Sequence, residues 1–190
     1  GNQPMGDPAT GVYVVLNGEI YNFLELRAQL MEAGYPFRSR SDTEVLLQGY
    51  RHWGEAVLPR LRGMFAVAVW DGQRRQLLLA RDRLGIKPLY FAELPDGLVF
   101  GSEIKALLAH SGVRAELDRP AVDEYLARGH VAAPRTIFRG VRAVLPGQWV
   151  RWGRGRLETG RYWSPDFHQP VLESQEDELV DQLDAGLNDA

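Results

Sequence analysis

Cysteine is absent from all 190 residues. That excludes disulfides, thiolate metal sites and a cysteine nucleophile within the chain, and it agrees with a cytoplasmic origin. Charge of one sign is equally scarce: 22 basic residues against 25 acidic ones leave a net charge of −3. A balance this close to neutral gives no electrostatic case for nucleic acid or for an anionic membrane. Arg151, Arg154, Arg156 and Arg161 do cluster, but with glycines between them they read as solvated strand edges and turns. No apolar run approaches the ~20 residues of a membrane-spanning helix, and no signal-peptide pattern is present. His52, His110, His130 and His168 lie too far apart for a local metal-ligand motif. Internal repeats and low-complexity stretches are missing as well.

What is there has an ordinary globular make-up, 45% hydrophobic and 25% charged. The length suits one domain with extra pieces, and it can bury a sizeable core. Both ends read as cut. No initiator methionine precedes the opening GNQPM, and Leu179, Val180, Leu183 and Leu187 recur at helical spacing without a cap at the close. The expectation is a piece of a longer polypeptide.

The patterns along the chain alternate between strand and helix. Val12–Leu16 is a short β-branched run that predicts a strand ending at Asn17-Gly18. Asn22 followed by Glu25 has the spacing of a capping box, and Gly34 supplies a helix stop. Ser41 and Glu44 repeat that spacing, with Gly54 as the stop. The runs MFAVAVWD and QLLLARD flank a turn at residues 71–75, and KPLYFAEL and GLVFGS flank Pro95-Asp96-Gly97. Ser102 is expected to start a short helix to Leu108. Asp118 is expected to cap another, with Pro120 in its first turn and Gly129 at its end. Short strands return between Thr136 and Trp163. Hairpin-paired strands with helices grouped between them predict an α+β fold with antiparallel sheets.

Three places carry candidate chemistry. At Asn17-Gly18 a side-chain amide and an unhindered backbone N–H could polarise a carbonyl, although the same dipeptide is also a common turn. Asp42 falls in the first turn of a predicted helix. It could hold an ammonium group or simply stabilise its own helix by ~0.3–1 kcal/mol. In Ala80–Phe91, ARDRLGIKPLYF, an anion loop is conceivable, but there is no glycine-rich phosphate signature, and an ion-paired turn between strands is the plainer account.

Taken together, GNQPM at 1–5, NGEIYN at 17–22, SDTEVLLQGY at 41–50, GMFAVAVWD at 63–71, ARDRLGIKPLYF at 80–91 and GSEIKALL at 101–108 resemble one family. LPGQ at 145–148 and RYW at 161–163 extend the match. The family is the N-terminal glutaminase domain of glutamine-hydrolysing asparagine synthetases, which use an N-terminal cysteine as nucleophile. The resemblance implies stacked antiparallel sheets sandwiched by helices (αββα), here without their first strands. It implies a glutaminase domain at 1–163 and, at 164–190, a linker and the first helix of an ATP-dependent synthetase domain.

By the same carry-over, the Asn17 side chain and the Gly18 N–H form an oxyanion hole. Glu19 lies on the same glutamine-binding segment, and Asp42 holds the α-amino group of glutamine. No cofactor or metal is implied within these residues; ATP and Mg2+ belong to the synthetase domain. Glutamine and aspartate are the implied substrates, nucleic acid and membrane are not implied partners, and a homodimer is one possible assembly. The family's nucleophile is the first residue of its mature chain, and its Arg-His-Gly-Pro-Asp segment and carboxylate-binding arginine lie upstream of GNQPM; this sequence opens on Gly and shows none of these, so a partial site is expected. Two other readings share these motifs: a related amide-forming ligase with a different acceptor, and a β-lactam-synthetase-like protein whose N-terminal domain is structural.

Overall fold

The computed structural model describes residues 2–167 and 176–188. Expectations placed on Gly1, on His168 and on the start of the tail at Glu173 lie outside the described residues. A six-stranded antiparallel sheet forms the centre. It contains β1 (Met5–Asp7), β2 (Val12–Ile20), β3 (Gly63–Asp71), β4 (Gln76–Arg81), β8 (Gln148–Gly153) and β9 (Arg156–Arg161), neighbours in that order. A second sheet holds β5 (Tyr90–Leu94) between β6 (Gly97–Gly101) and β7 (Val141–Ala143).

The layering follows from which side chains have to leave water. On β2, Val12, Val14, Leu16 and Ile20 point to one face and are buried there. They meet Leu26 and Leu30 of α1 (Phe23–Glu32), and Val45, Leu46 and Tyr50 of α2 (Asp42–Trp53). β3 and β4 are apolar on both faces, because a second layer covers the other side. Ala66, Ala68, Leu77 and Leu79 pack there against Leu89, Phe91 and Val144. Beyond the second sheet, Leu107 of α3 (Ile104–Leu108) packs on Ala92 and Val141. The succession is helices, sheet, sheet, helix. This is the α+β arrangement with antiparallel sheets that the sequence predicts.

The local punctuation is met in part. Ser41 caps α2, its Oγ accepting the Thr43 N–H at 3.1 Å, and Gly54 ends it. α4 (Arg119–Arg128) ends at Gly129 in the left-handed conformation, φ 75°. Asp118 precedes α4 but makes no side-chain cap, and α3 begins two residues after Ser102.

Two expectations are corrected. The strand does not stop at Asn17-Gly18 but runs on to Ile20, because pairing with β3 continues to Ile20 opposite Gly63. Asn22 and Glu25 do not form a capping box. The Asn22 amide instead donates to the Arg60 carbonyl at 3.0 Å and accepts the Arg62 N–H at 2.9 Å, tying α1 to the approach to β3.

α5 (Glu176–Asn188) has no buried residue; Leu179, Val180, Leu183 and Leu187 are exposed on it.

Candidate active site

β2 brings the site together along one edge. In an antiparallel ladder, every second residue turns its backbone N–H and C=O away from a given neighbour. Val12 and Val14 lie opposite Asp7 and Met5 of β1. Beyond β1 the side chain of Gln3 takes over as a strand would. Its amide accepts the Leu16 N–H at 2.7 Å and donates to the Leu16 carbonyl at 2.9 Å. Further along, the Ile20 N–H is held by Asp42 Oδ2 at 3.1 Å.

Gly18 stands between these two in the same alternation. Its neighbour across the ladder, Phe65, donates its N–H to Asp82 Oδ2 at 3.2 Å and accepts the Asp82 N–H at 2.8 Å. Phe65 therefore turns its hydrogen-bonding groups to β4, and the Gly18 N–H belongs to the open edge of β2. Glycine is required here. Its φ is +130°, and a Cβ would collide with the Met64 carbonyl.

Asn17 points to the opposite face from the buried valines, towards the second sheet. Its Nδ2 donates to Ser102 Oγ at 2.8 Å, a contact across 85 residues of sequence. One amide N–H is committed in this way and the other is open. Asp42 sits at the first turn of α2, where Oδ1 accepts the Thr43 N–H at 2.7 Å. That is the helix-stabilising contact expected of it, but its second oxygen reaches β2. Asp42 is thus pinned two residues past Gly18; Oδ1 also faces the Ser41 and Thr43 hydroxyls, each at 3.4 Å, and Oδ2 accepts the Ile20 N–H alone among the described residues. Glu19, between Gly18 and Ile20, is exposed, and its side chain makes no hydrogen bond or ion pair among the described residues. Asn17, Gly18, Glu19 and Asp42 are brought to one corner of the sheet. Such a corner can polarise a carbonyl with two N–H donors and hold an ammonium with a carboxylate.

The Ala80–Phe91 segment is built otherwise than expected. Arg81, Asp82 and Arg83 do not pair with one another. Arg81 donates to the carbonyls of Lys87, Val144 and Gly85, at 2.7, 2.9 and 2.6 Å. The Asp82 carboxylate, 1% exposed, accepts four backbone N–H groups, from Phe65, Leu84, Ile86 and Lys87. Charges satisfied by backbone dipoles need no counter-charge, which is why the ion-paired turn does not form. Arg151 of the late basic cluster does pair, with Glu55 at 3.0 Å and with Glu158.

Ser102 and Gln3 are the residues that motif reading left without a role. Neither carried a local signal. Ser102 read only as the start of a short helix, and the partner of Gln3 lies 13 residues on. Among the described residues no cluster of His, Asp or Glu is placed to hold a metal ion. None of the described helices is long and apolar enough to cross a membrane.

This fold and this corner define a class. Residues 1–163 match the family model described as a glutamine amidotransferase domain, and the chain belongs to that family. Among curated relatives, it is 42% identical over 170 residues to asparagine synthetase [glutamine-hydrolyzing] 3 of Bacillus subtilis, covering 86% of this chain and 27% of that protein. It is 36% identical over 194 residues to the amidase chry2 of Gibberella zeae, covering 100% of this chain and 28% of that protein. The chain thus spans under a third of the length of these relatives. Among solved structures, glutamine phosphoribosylpyrophosphate amidotransferase from B. subtilis, complexed with ADP and GMP, superposes with a TM-score of 0.59 at 21% identity. That match covers 86% of this chain and 32% of that one and supports the fold alone.

Proposed function

We propose that this chain is the glutaminase portion of a glutamine-dependent asparagine synthetase. Glutamine is the nitrogen donor. The observation that carries the reading is the Asp42–Ile20 hydrogen bond at 3.1 Å, which sets a carboxylate beside the Asn17-Gly18 donors although Asp42 comes 25 positions after Asn17 in the sequence. Asp42 holds the α-ammonium of glutamine, with Glu19 on the same rim. The side-chain carbonyl of glutamine then lies against Asn17 Nδ2 and the Gly18 N–H.

When a thiolate adds to that carbonyl, its C=O π electrons become an oxyanion, and both donors strengthen as the charge develops. The proton that the nucleophile's own α-amino group took from the thiol passes to the leaving nitrogen, so collapse expels ammonia and leaves a thioester, which water hydrolyses to glutamate and the free thiol. The 190 residues contain no cysteine, so the thiol is not among them, and the chain by itself turns over no glutamine. The ammonia is consumed by an ATP- and Mg2+-dependent domain that amidates aspartate. A second reading, a ligase or amidase with another acceptor, is favoured by the fungal amidase that aligns along the whole chain.

The test is steady-state kinetics of the full-length protein with glutamine and, separately, with ammonium as nitrogen source. Asn17→Ala should lower kcat with glutamine on the order of 10²–10³-fold, or ~3–4 kcal/mol, and leave ammonium-fed synthesis intact. Equal harm to both nitrogen sources would mean that Asn17 holds structure. Amidation of acceptors other than aspartate would decide for the second reading.

A further inference from the structure

We infer that Ser102 is a positioning residue for the Asn17 amide, joining the two sheets at the reacting corner through the Asn17 Nδ2–Ser102 Oγ hydrogen bond of 2.8 Å. The inference rests on Asn17 acting as an oxyanion donor. A side-chain amide on a strand turns about its last torsion with little preference of its own. Its two N–H vectors are fixed only if something else fixes the amide plane. Nothing on β2 does so, because Ser102 Oγ is the sole hydrogen-bond partner of the Asn17 side chain among the described residues.

The partner comes from a rigid place. Ser102 follows β6 directly, and β6 pairs with β5 out to Tyr90 opposite Gly101. Two residues on, α3 begins, anchored by the fully buried Leu107. The hydroxyl is not consumed by that helix, whose first turn starts after Glu103 with no side-chain cap. Occupying one N–H on a fixed oxygen sets the direction of the second. That second N–H is the one left for a developing oxyanion. The geometry also accounts for a serine at this place: it puts an oxygen one bond from Cβ, short enough to be held still by the backbone. Ser102 touches no reacting atom in this scheme and acts only through Asn17.

The experiment is a variant set in the full-length protein: Ser102→Ala, Ser102→Thr, Asn17→Ala and the Asn17→Ala/Ser102→Ala double variant, each assayed for glutamine hydrolysis. Ser102→Ala should lower kcat on the order of 10-fold, a part of the loss from deleting the donor, with KM for glutamine nearly unchanged. Ser102→Thr retains the oxygen and should restore most of the rate. The double variant should match Asn17→Ala, because with the amide gone there is nothing left to orient.

Wild-type kcat for Ser102→Ala beside a crippled Asn17→Ala would overturn the inference and leave the oxyanion assignment standing. A double variant slower than Asn17→Ala by a further 10-fold would also overturn it, since Ser102 would then act on its own. Full activity in Asn17→Ala would remove the assignment itself and the inference with it.

Discussion

Replacing Asp82 by Asn should destabilise the chain severely although it removes no volume and no exposed group. The carboxylate is 1% exposed and accepts four backbone N–H groups, from Phe65 and Lys87 on Oδ2 and from Leu84 and Ile86 on Oδ1. An asparagine keeps one oxygen, enough for two of these donors. Its NH2 group then faces the other two, donor against donor. The Phe65 N–H is buried and the other three are partly so; each one left without a partner costs ~1–3 kcal/mol, toward the low end where water reaches it, and the retained pair loses the strengthening that a full negative charge gives. The sum is about 3–5 kcal/mol. For a domain of this size each kcal/mol lowers Tm by ~2–4 °C, so a fall of about 10 °C is expected. Thermal unfolding followed by circular dichroism is the assay, with Asp96→Asn in the exposed β5–β6 turn as the control that should not move. A Tm for Asp82→Asn within about 2 °C of wild type would refute the reasoning. The four donors would then be satisfied from elsewhere, and the carboxylate would not be what shapes the loop.

Asp42→Asn in the full-length protein should raise KM for glutamine on the order of 10-fold while kcat changes little, because the contact to the ammonium proposed for Asp42 would be made in ground and transition states alike; a loss confined to kcat would contradict that role. Glu44 is held by the Ser39 hydroxyl and by the Arg38 and Ser39 N–H groups, at 2.6, 2.8 and 2.6 Å. Burial pushes its pKa up, but those hydrogen bonds and the Arg27 charge outweigh it and hold the carboxyl below its ordinary 4.5. A lowered native pKa means stability present above pH 4.5 and lost as pH falls through the native value. Urea titrations from pH 7 to pH 3 should therefore show a steeper acid loss in wild type than in Glu44→Gln; parallel curves would show that Glu44 does not contribute.

The layers were legible in the sequence because they rest on local periodicity. Val12, Val14 and Leu16 alternate, Ser41 precedes a helix, and the glycines and prolines mark most turns. Asp42 was legible as a candidate for the same reason: its position in a first turn can be read from its neighbours. The length of β2 was not legible. Asn17 and Gly18 prefer turns on their own, and only the ladder to β3 keeps them extended. Glu44 sits where a capping box would put it, yet it serves the preceding loop, because residues 38–39 fold back over it. The Ser102 contact had no sequence signal at all, since it exists only once two sheets are stacked.

Gly18 and Gly63 mirror each other across the β2–β3 ladder. Either one would drive a Cβ into a carbonyl of the other strand, Met64 for Gly18 and Glu19 for Gly63. At these two positions the chain has no alphabet: no side chain can be written in without separating the strands. Selection acting on this corner is therefore confined to its margins. Within the described residues, changes to the proposed site would enter through Asn17, Glu19, Asp42 or Ser102, while the backbone at Gly18 stays constant. A library built to retune the site should leave 18 and 63 alone and spend its diversity on those four.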